Sequence, residues 1–302
     1  MTVLSSHAKG MMITAAGVLI ITPDGLLTRL IQSDPWTLLF WRSLLSGVSM
    51  LLVLLILYRR QSWTRIRAIG VPGLIVAALF GVGGVTFILA ITSTTVANTL
   101  FIASTTPLFA ALIAWLLMGE VVPRRTWAAI ALALIGIAII ASQGLAGGSL
   151  FGNIAAVLTA MTLAGSFSLI RYYKDRDLVP AMALSMLLAA LIALPFAAPT
   201  TISASDAGWL AAMGLFMLPL SFGLMFIGPR YIPAAEVSLI LLLEAILGPL
   251  WVWLAVGEEP GSRTLVGGAI VIVTLAANAA FGLRYGRSGA MAAPDTVGTT
   301  GR

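Results

Sequence analysis

The sequence predicts an all-α, polytopic membrane protein, and three observations carry that expectation. Apolar residues make up 60% of the 302 and charged residues only 9%, where a soluble domain is roughly a quarter charged. Mean hydropathy is +1.05. Apolar runs of about 18 residues or more, enough to cross a hydrocarbon core about 30 Å thick, follow one another along the chain. Backbone groups inside lipid must be satisfied within each segment, so such runs fold as helices.

Ten spans are expected, at 10–31, 36–58, 69–91, 96–118, 125–143, 151–171, 181–198, 207–229, 235–256 and 264–284. The first is interrupted by Thr22-Pro23-Asp24 yet runs on to Leu30 with no small-residue cleavage site, so it reads as a spanning helix and not a signal peptide. Connections are short, as at Ser33-Asp34-Pro35, at Ser93-Thr94-Thr95 and from Gly144 to Ser149, and leave no room for a soluble domain. Residues 1–9 read as an N-terminal cytoplasmic tail. Residues 286–302 are small and polar, with too little apolar surface to offset ordering entropy, and are expected to be disordered.

Charge sets the orientation. Lys and Arg concentrate on cytoplasmic loops, and placing both termini inside puts Lys9, Arg59, Arg60, Arg124, Arg125, Arg171 and most of the other cations on that face, leaving Arg29 and Arg263 outside. The net charge of +6 is thereby explained without a nucleic-acid partner. A bacterial-type inner (plasma) membrane is the expected location, with the lipid bilayer and a small-molecule substrate as partners and a monomer as the expected state.

The same composition removes several chemistries. There is no cysteine, and His7, the single histidine, lies in the tail, so redox and transition-metal chemistry lack ligands. No metal, cofactor or catalytic residue is expected. Neither a phosphate-binding G-x-x-x-x-G-K-[ST] loop nor H-E-x-x-H nor G-x-S-x-G occurs. An intramembrane enzyme built on Ser or Asp stays open as the rival from another class. A passive channel would call for charged rings or filter carbonyls around a symmetry axis.

The chain repeats itself. The stretch from Ala97 matches that from Ala235 at an offset of about 138 residues: Trp115-Leu116 pairs with Trp253-Leu254, Gly119-Glu120 with Gly257-Glu258, and Arg125-Thr126 with Arg263-Thr264. A weaker match joins Gly10–Arg29 to Gly152–Arg171. Two five-helix halves follow, 10–143 and 151–285, with 144–150 connecting them. Five is odd, so the second half enters the bilayer the other way up. Inverted repeats suit alternating access around a midplane site; a duplication that merely enlarged the bundle is the plainer alternative.

The run Thr106-Pro107-Leu-Phe-Ala-Ala-Leu-Ile-Ala-Trp-Leu-Leu-Met-Gly-Glu120, with Leu243-Glu244-Ala245 through Trp253 to Gly257-Glu258 as its second copy, resembles the EamA-type repeat of the drug/metabolite transporter superfamily. The resemblance covers about Met11 to Arg284. It implies a transporter, mostly an exporter of amino acids, other metabolites or drugs, and within the family the aromatic amino-acid and paraquat exporters are the branch it suggests. One departure stands out: the second copy usually has proline directly after the glutamate, whereas here Ala245 follows Glu244 and the proline comes at Pro249.

Ionisable groups deep in a membrane cost roughly 2.5–3.5 kcal/mol each on insertion scales and so mark candidate sites. Asp24, Arg42 and Glu244 are the three. At 1.5 Å rise per residue, Asp24 and Arg42 fall at similar depth on the first two helices, so they can pair structurally or bind the ammonium and carboxylate of a zwitterion. Glu244 lies near the middle of the ninth span, with Thr106 as its counterpart in the repeat; it can take up a proton, hold a cation or contact a neighbouring helix. Trp41, Trp115 and Trp253 can line a cavity for aromatic or cationic solutes or anchor the helices at the interface. Pro23, Pro107, Pro219 and Pro249 fall inside spans, where each removes a backbone hydrogen bond, and Pro23, Pro107 and Pro249 are candidate gating positions. Gly81, Gly83 and Gly84 read as close helix packing. The expected function is export of small zwitterionic or cationic metabolites, amino acids foremost, by alternating access, with a multidrug or organic-cation exporter as the alternative.

Overall fold

The computed structural model describes residues 6–93, 99, 102–141, 149–256 and 262–291; for Arg29, Pro249 and Trp253 it describes the backbone alone. Residues 1–5 of the tail, 144–148 of the connecting loop, Gly257-Glu258 and 292–302 lie outside these described residues.

Every regular element among the described residues is helical. Six helical stretches are long and apolar enough to cross a membrane: Ser6–Thr28, Pro35–Ala68, Gly70–Ser93, Leu150–Tyr172, Val179–Phe196 and Ala204–Arg230. Thr106–Met118 and Leu265–Asn278 are shorter apolar helices. In chain order the helices are α1 (Ser6–Ile21), α2 (Asp24–Leu30), α3 (Pro35–Tyr58), α4 (Ser62–Ala68), α5 (Gly70–Ser93), α6 (Thr106–Met118), α7 (Arg124–Ala141), α8 (Leu150–Tyr172), α9 (Val179–Ala193), α10 (Ala204–Ala211), α11 (Leu218–Ile227), α12 (Ala234–Val256) and α13 (Ser262–Met291), with a π-helical stretch, Ala212–Met217, joining α10 to α11. Large apolar side chains such as Ile56, Leu117, Phe216 and Leu254 point outward, while Thr14, Ser46, Ser166 and Ser221 are buried. That distribution suits a lipid surround; contiguous exposed apolar surface on this scale is rare on soluble monomers.

Three of the expected spans are interrupted, and proline chemistry explains how. Proline has no N–H, so the carbonyl four residues earlier loses its helical partner. At Pro23 that carbonyl is Leu19, and Thr22 Oγ1 donates to it at 2.9 Å. At Pro107 it is Ala103, and Thr106 Oγ1 donates to it at 2.6 Å. At Pro219 it is Leu215, and Ser49 Oγ of α3 donates to it at 2.9 Å. A hydroxyl replaces each missing donor, so each break is satisfied without water. Pro107 sits in the first turn of α6 and not mid-helix as a kink, with the Thr106 hydroxyl standing in for the N–H it lacks. α12 is continuous from Ala234 to Val256, through Pro249, so a break displaced to that proline is also corrected. At the other end the backbone of α13 runs on to Met291.

Packing is two-fold in pattern. The expected first and sixth spans (α1–α2, α8), second and seventh (α3, α9), third and eighth (α5, α10–α11), fourth and ninth (α6, α12) and fifth and tenth (α7, α13) are counterparts. Exchanging counterparts maps the main contacts onto one another: α5 against α8 becomes α11 against α1, α5 against α9 becomes the π stretch against α3, and α6 against α8 becomes α12 against α1. The α3–α9, α6–α12 and α7–α13 contacts map onto themselves.

Alternate connections gather at opposite ends. At one end Arg65 pairs with Asp177 at 3.0 Å, Arg171 with Glu120 at 3.2 Å, and Glu236 lies 3.3 Å from His7 and 3.6 Å from Arg125. Arg230 there donates to the Lys174 carbonyl, and Lys9 lies over the Tyr231 ring. At the other end Asp206 accepts from the Gln32 amide and the Ser33 hydroxyl, Thr37 Oγ1 accepts from the Ala198 amide, and Ser149 donates to the Ser93 carbonyl.

Candidate functional site

Between the two halves lies a cavity of about 120 Å³. α5 presents one face to it, Phe80, Gly83, Gly84, Phe87 and Ile88, the spacing by which one helical stripe repeats. Opposite stand Phe222 and Met225 of α11, Leu163 of α8 and Met186 of α9. Phe80 meets Phe222 and Phe226 edge-on, with ring centroids 5.0 Å apart in both cases, an arrangement that fixes the wall.

Charge enters this apolar chamber from three helices. Asp24 of α2, Arg42 of α3 and Glu244 of α12 all line it. Asp24 and Arg42 are 5% and 9% exposed, and Arg42 Nη2 lies 3.3 Å from both Asp24 oxygens, donating a hydrogen bond to Oδ2. Asp24 Oδ1 and Arg42 Nη1 are buried with no hydrogen-bond partner among the described residues. A buried ion pair that leaves polar atoms over is incompletely compensated by its own contact.

The break after Ile21 positions Asp24. α1 ends there, Thr22 and Pro23 turn, and Asp24 opens α2. Trp251 Nε1 of α12 donates to Thr22 Oγ1 at 2.8 Å, tying the helix that carries Glu244 to the turn that carries Asp24. Glu244 and Trp251 are seven residues apart, two helical turns, and so share one face of α12.

The remaining expected positions fall elsewhere. Trp41 does not line the cavity: its Nε1 donates to the Pro199 carbonyl at 3.2 Å, at the Asp206 end. Trp115 is exposed on the outer surface. Thr106 is buried but does not line the cavity; its hydroxyl is committed to Ala103 beside Pro107. Pro23 adjoins Asp24 at the break. Of the three glycines read as packing positions, a Cβ on Gly81 would meet the Ser185 carbonyl oxygen at 2.8 Å and one on Gly83 would meet Thr162 Oγ1 at 2.7 Å, whereas Gly84 has nothing within 4 Å. Gly84 borders the cavity and is not a packing position. The Phe80, Phe87 and Phe222 walls and the Glu236 cluster were not singled out from sequence; an acid in the first turn of an otherwise apolar helix was the available signal for Glu236.

Fold and site together define a multi-pass membrane protein of two similar halves around a charged internal cavity. The chain belongs to the EamA-like transporter family, whose model matches twice, over residues 8–142 and 150–279; the members of that family are membrane transporters. Among solved structures, one described only as "Crystal structure of protein" is similar with a TM-score of 0.78 at 18% identity, covering 92% of this chain and 99% of that one. No curated protein matches the chain.

Proposed function

We propose that this chain is a secondary transporter that exports small zwitterionic or cationic metabolites, amino acids foremost, across a bacterial inner membrane by alternating access. On this reading ten helical spans form two inverted five-helix halves with both termini cytoplasmic. The sorting of alternate connections to opposite ends supports ten crossings, and the basic character of one end supports its cytoplasmic placement.

The observation that carries the reading is the meeting of Asp24, Arg42 and Glu244 in one cavity, with Asp24 Oδ1 and Arg42 Nη1 left without hydrogen bonds among the described residues. An ammonium group suits the two carboxyls and a carboxylate suits Arg42 Nη1. With both carboxyls ionised the trio carries one positive and two negative charges, so a proton or a cationic group neutralises it. The phenyl walls favour an organic cation as the second reading, since ring faces attract cations.

The test is transport by the purified protein in proteoliposomes, using a panel of amino acids and quaternary ammonium cations with and without a proton gradient. Accumulation of at least one panel member, lost in Asp24→Asn and Glu244→Gln protein, is expected. Unimpaired transport by both variants contradicts the proposed site, and amino acids moving no faster than in protein-free vesicles while quaternary cations do move would replace the first reading by the second.

A further inference from the structure

We infer that Gly84 sets the size of the apolar part of the transported solute, an inference that rests on the transport reading above. Gly84 is the middle position of the α5 face that lines the cavity, with Phe80 one turn before it and Phe87 one turn after. The other glycines of this helix segment are held by neighbours: at Gly81 and Gly83 a methyl group would strike a carbonyl or a threonine hydroxyl under 3.0 Å away. At Gly84 a methyl group meets no atom within 4 Å among the described residues. The absent side chain is therefore not required by helix packing, and the space it leaves is cavity. Glycine inside a helix is disfavoured relative to alanine, so its presence where packing does not demand it points to the volume it leaves open.

The chemistry of the walls says what that volume holds. The apolar lining that Gly84 shares includes Phe80, Phe87, Ile88 and Leu163, while the charged groups Asp24, Arg42 and Glu244 come from α2, α3 and α12. A solute with a charged head and an apolar body fits both, the head at the carboxyls and guanidinium and the body against α5. A side chain at position 84 shortens the body that can be accommodated and leaves the head group's contacts in place.

The experiment compares export of L-alanine and L-tryptophan from proteoliposomes containing wild type, Gly84→Ala, Gly84→Leu and, as a helix-glycine control outside the cavity, Gly208→Ala, whose added methyl also meets nothing within 4 Å. The alanine-to-tryptophan rate ratio is expected to rise from Gly to Ala to Leu, by about tenfold or more for Leu, the scale on which apolar pockets discriminate single carbon groups. Gly208→Ala is expected to keep the wild-type ratio. A ratio unchanged in both Gly84 variants while wild type transports overturns the assignment of Gly84 and leaves the transport reading standing. Wild type that moves neither amino acid overturns the assignment of Gly84, and it overturns the transport reading too when no other member of the panel of amino acids and quaternary ammonium cations moves. Should Gly84→Leu fail to fold, Gly84→Ala alone decides, because alanine is favoured in a helix and meets no neighbour here.

Discussion

Arg42 reaches Asp24 across the turn that splits the first membrane stretch, its Nη2 standing 3.3 Å from both carboxylate oxygens while its Nη1 is left without a hydrogen bond. The pair thus joins α2 to α3, and on the proposed reading it also receives the charged head of the solute.

Removing one partner strands the other in an apolar interior. Arg42→Gln or Asp24→Asn alone is expected to lower stability by about 3–5 kcal/mol, the usual result of breaking a buried pair, read as a loss of thermal stability in detergent. The double variant Asp24→Asn/Arg42→Gln is expected to recover most of that loss and none of the transport. Recovery of transport in the double variant would show the pair to be structural only.

The hydroxyl beside proline is the second testable element. Thr106→Val keeps the shape of the side chain but leaves the Ala103 carbonyl unpaired, and is expected to cost about 1–3 kcal/mol. Thr106→Ser restores the donor and is expected to restore stability. So is Thr106→Val combined with Pro107→Ala, because residue 107 then supplies its own N–H. Equal stability of all these variants would remove the structural role given to Thr106.

How far this could be read in advance depended on which force was at issue. Hydrophobic length anticipated the six described stretches long and apolar enough to cross a membrane, and the cost of buried charge singled out Asp24, Arg42 and Glu244, all three of which line one cavity. The facing of each helix was harder to read. An amphipathic stripe marks the buried face of a helix in water, but helices such as α5 and α12 are apolar on every side, so nothing in their periodicity distinguishes Phe80 against the cavity from Ile75 against lipid. For the same reason nothing in the sequence indicated that Trp41 and Thr106 stand outside the lining of that cavity. Thr22-Pro23 and Thr106-Pro107, by contrast, were present as a local signal, since there the threonine that supplies the donor directly precedes its proline, whereas the donor at Pro219 comes from Ser49 of α3.

Outside the apolar region, Asp34 caps α3, its Oδ1 accepting from the Trp36 and Thr37 amides at 3.0 Å each. Its slight burial acts to raise its pKa, and hydrogen bonds from the Thr37 side chain and from the Thr37 and Trp36 amides outweigh it, so the value lies below that of an ordinary aspartate. A carboxyl with a lowered folded pKa stabilises above its unfolded pKa, about 3.9, and the contribution disappears as pH falls through the folded value. Asp34→Ala is expected to cost about 1 kcal/mol, constant above about pH 5 and vanishing in stronger acid. A stability gap independent of pH would contradict the ionised cap.

Sidedness is accessible because the chain has no cysteine of its own. Single cysteines at Gln61, beside the basic α4, and at Thr201, in the connection before α10, are expected to react with a membrane-impermeant maleimide from opposite sides, Gln61→Cys from the cytoplasm. Labelling of both from one side would contradict the orientation and the number of crossings.

The central claim is that the Asp24–Arg42–Glu244 cavity opens alternately to the two sides. Ser43, buried and lining that cavity, gives the most direct test: the rate at which Ser43→Cys reacts with an impermeant maleimide applied to either face of oriented vesicles. Alternating access predicts reaction from both faces, slowed on both by a transported solute. Reaction from one face alone under every gradient, or a rate indifferent to that solute, would contradict it.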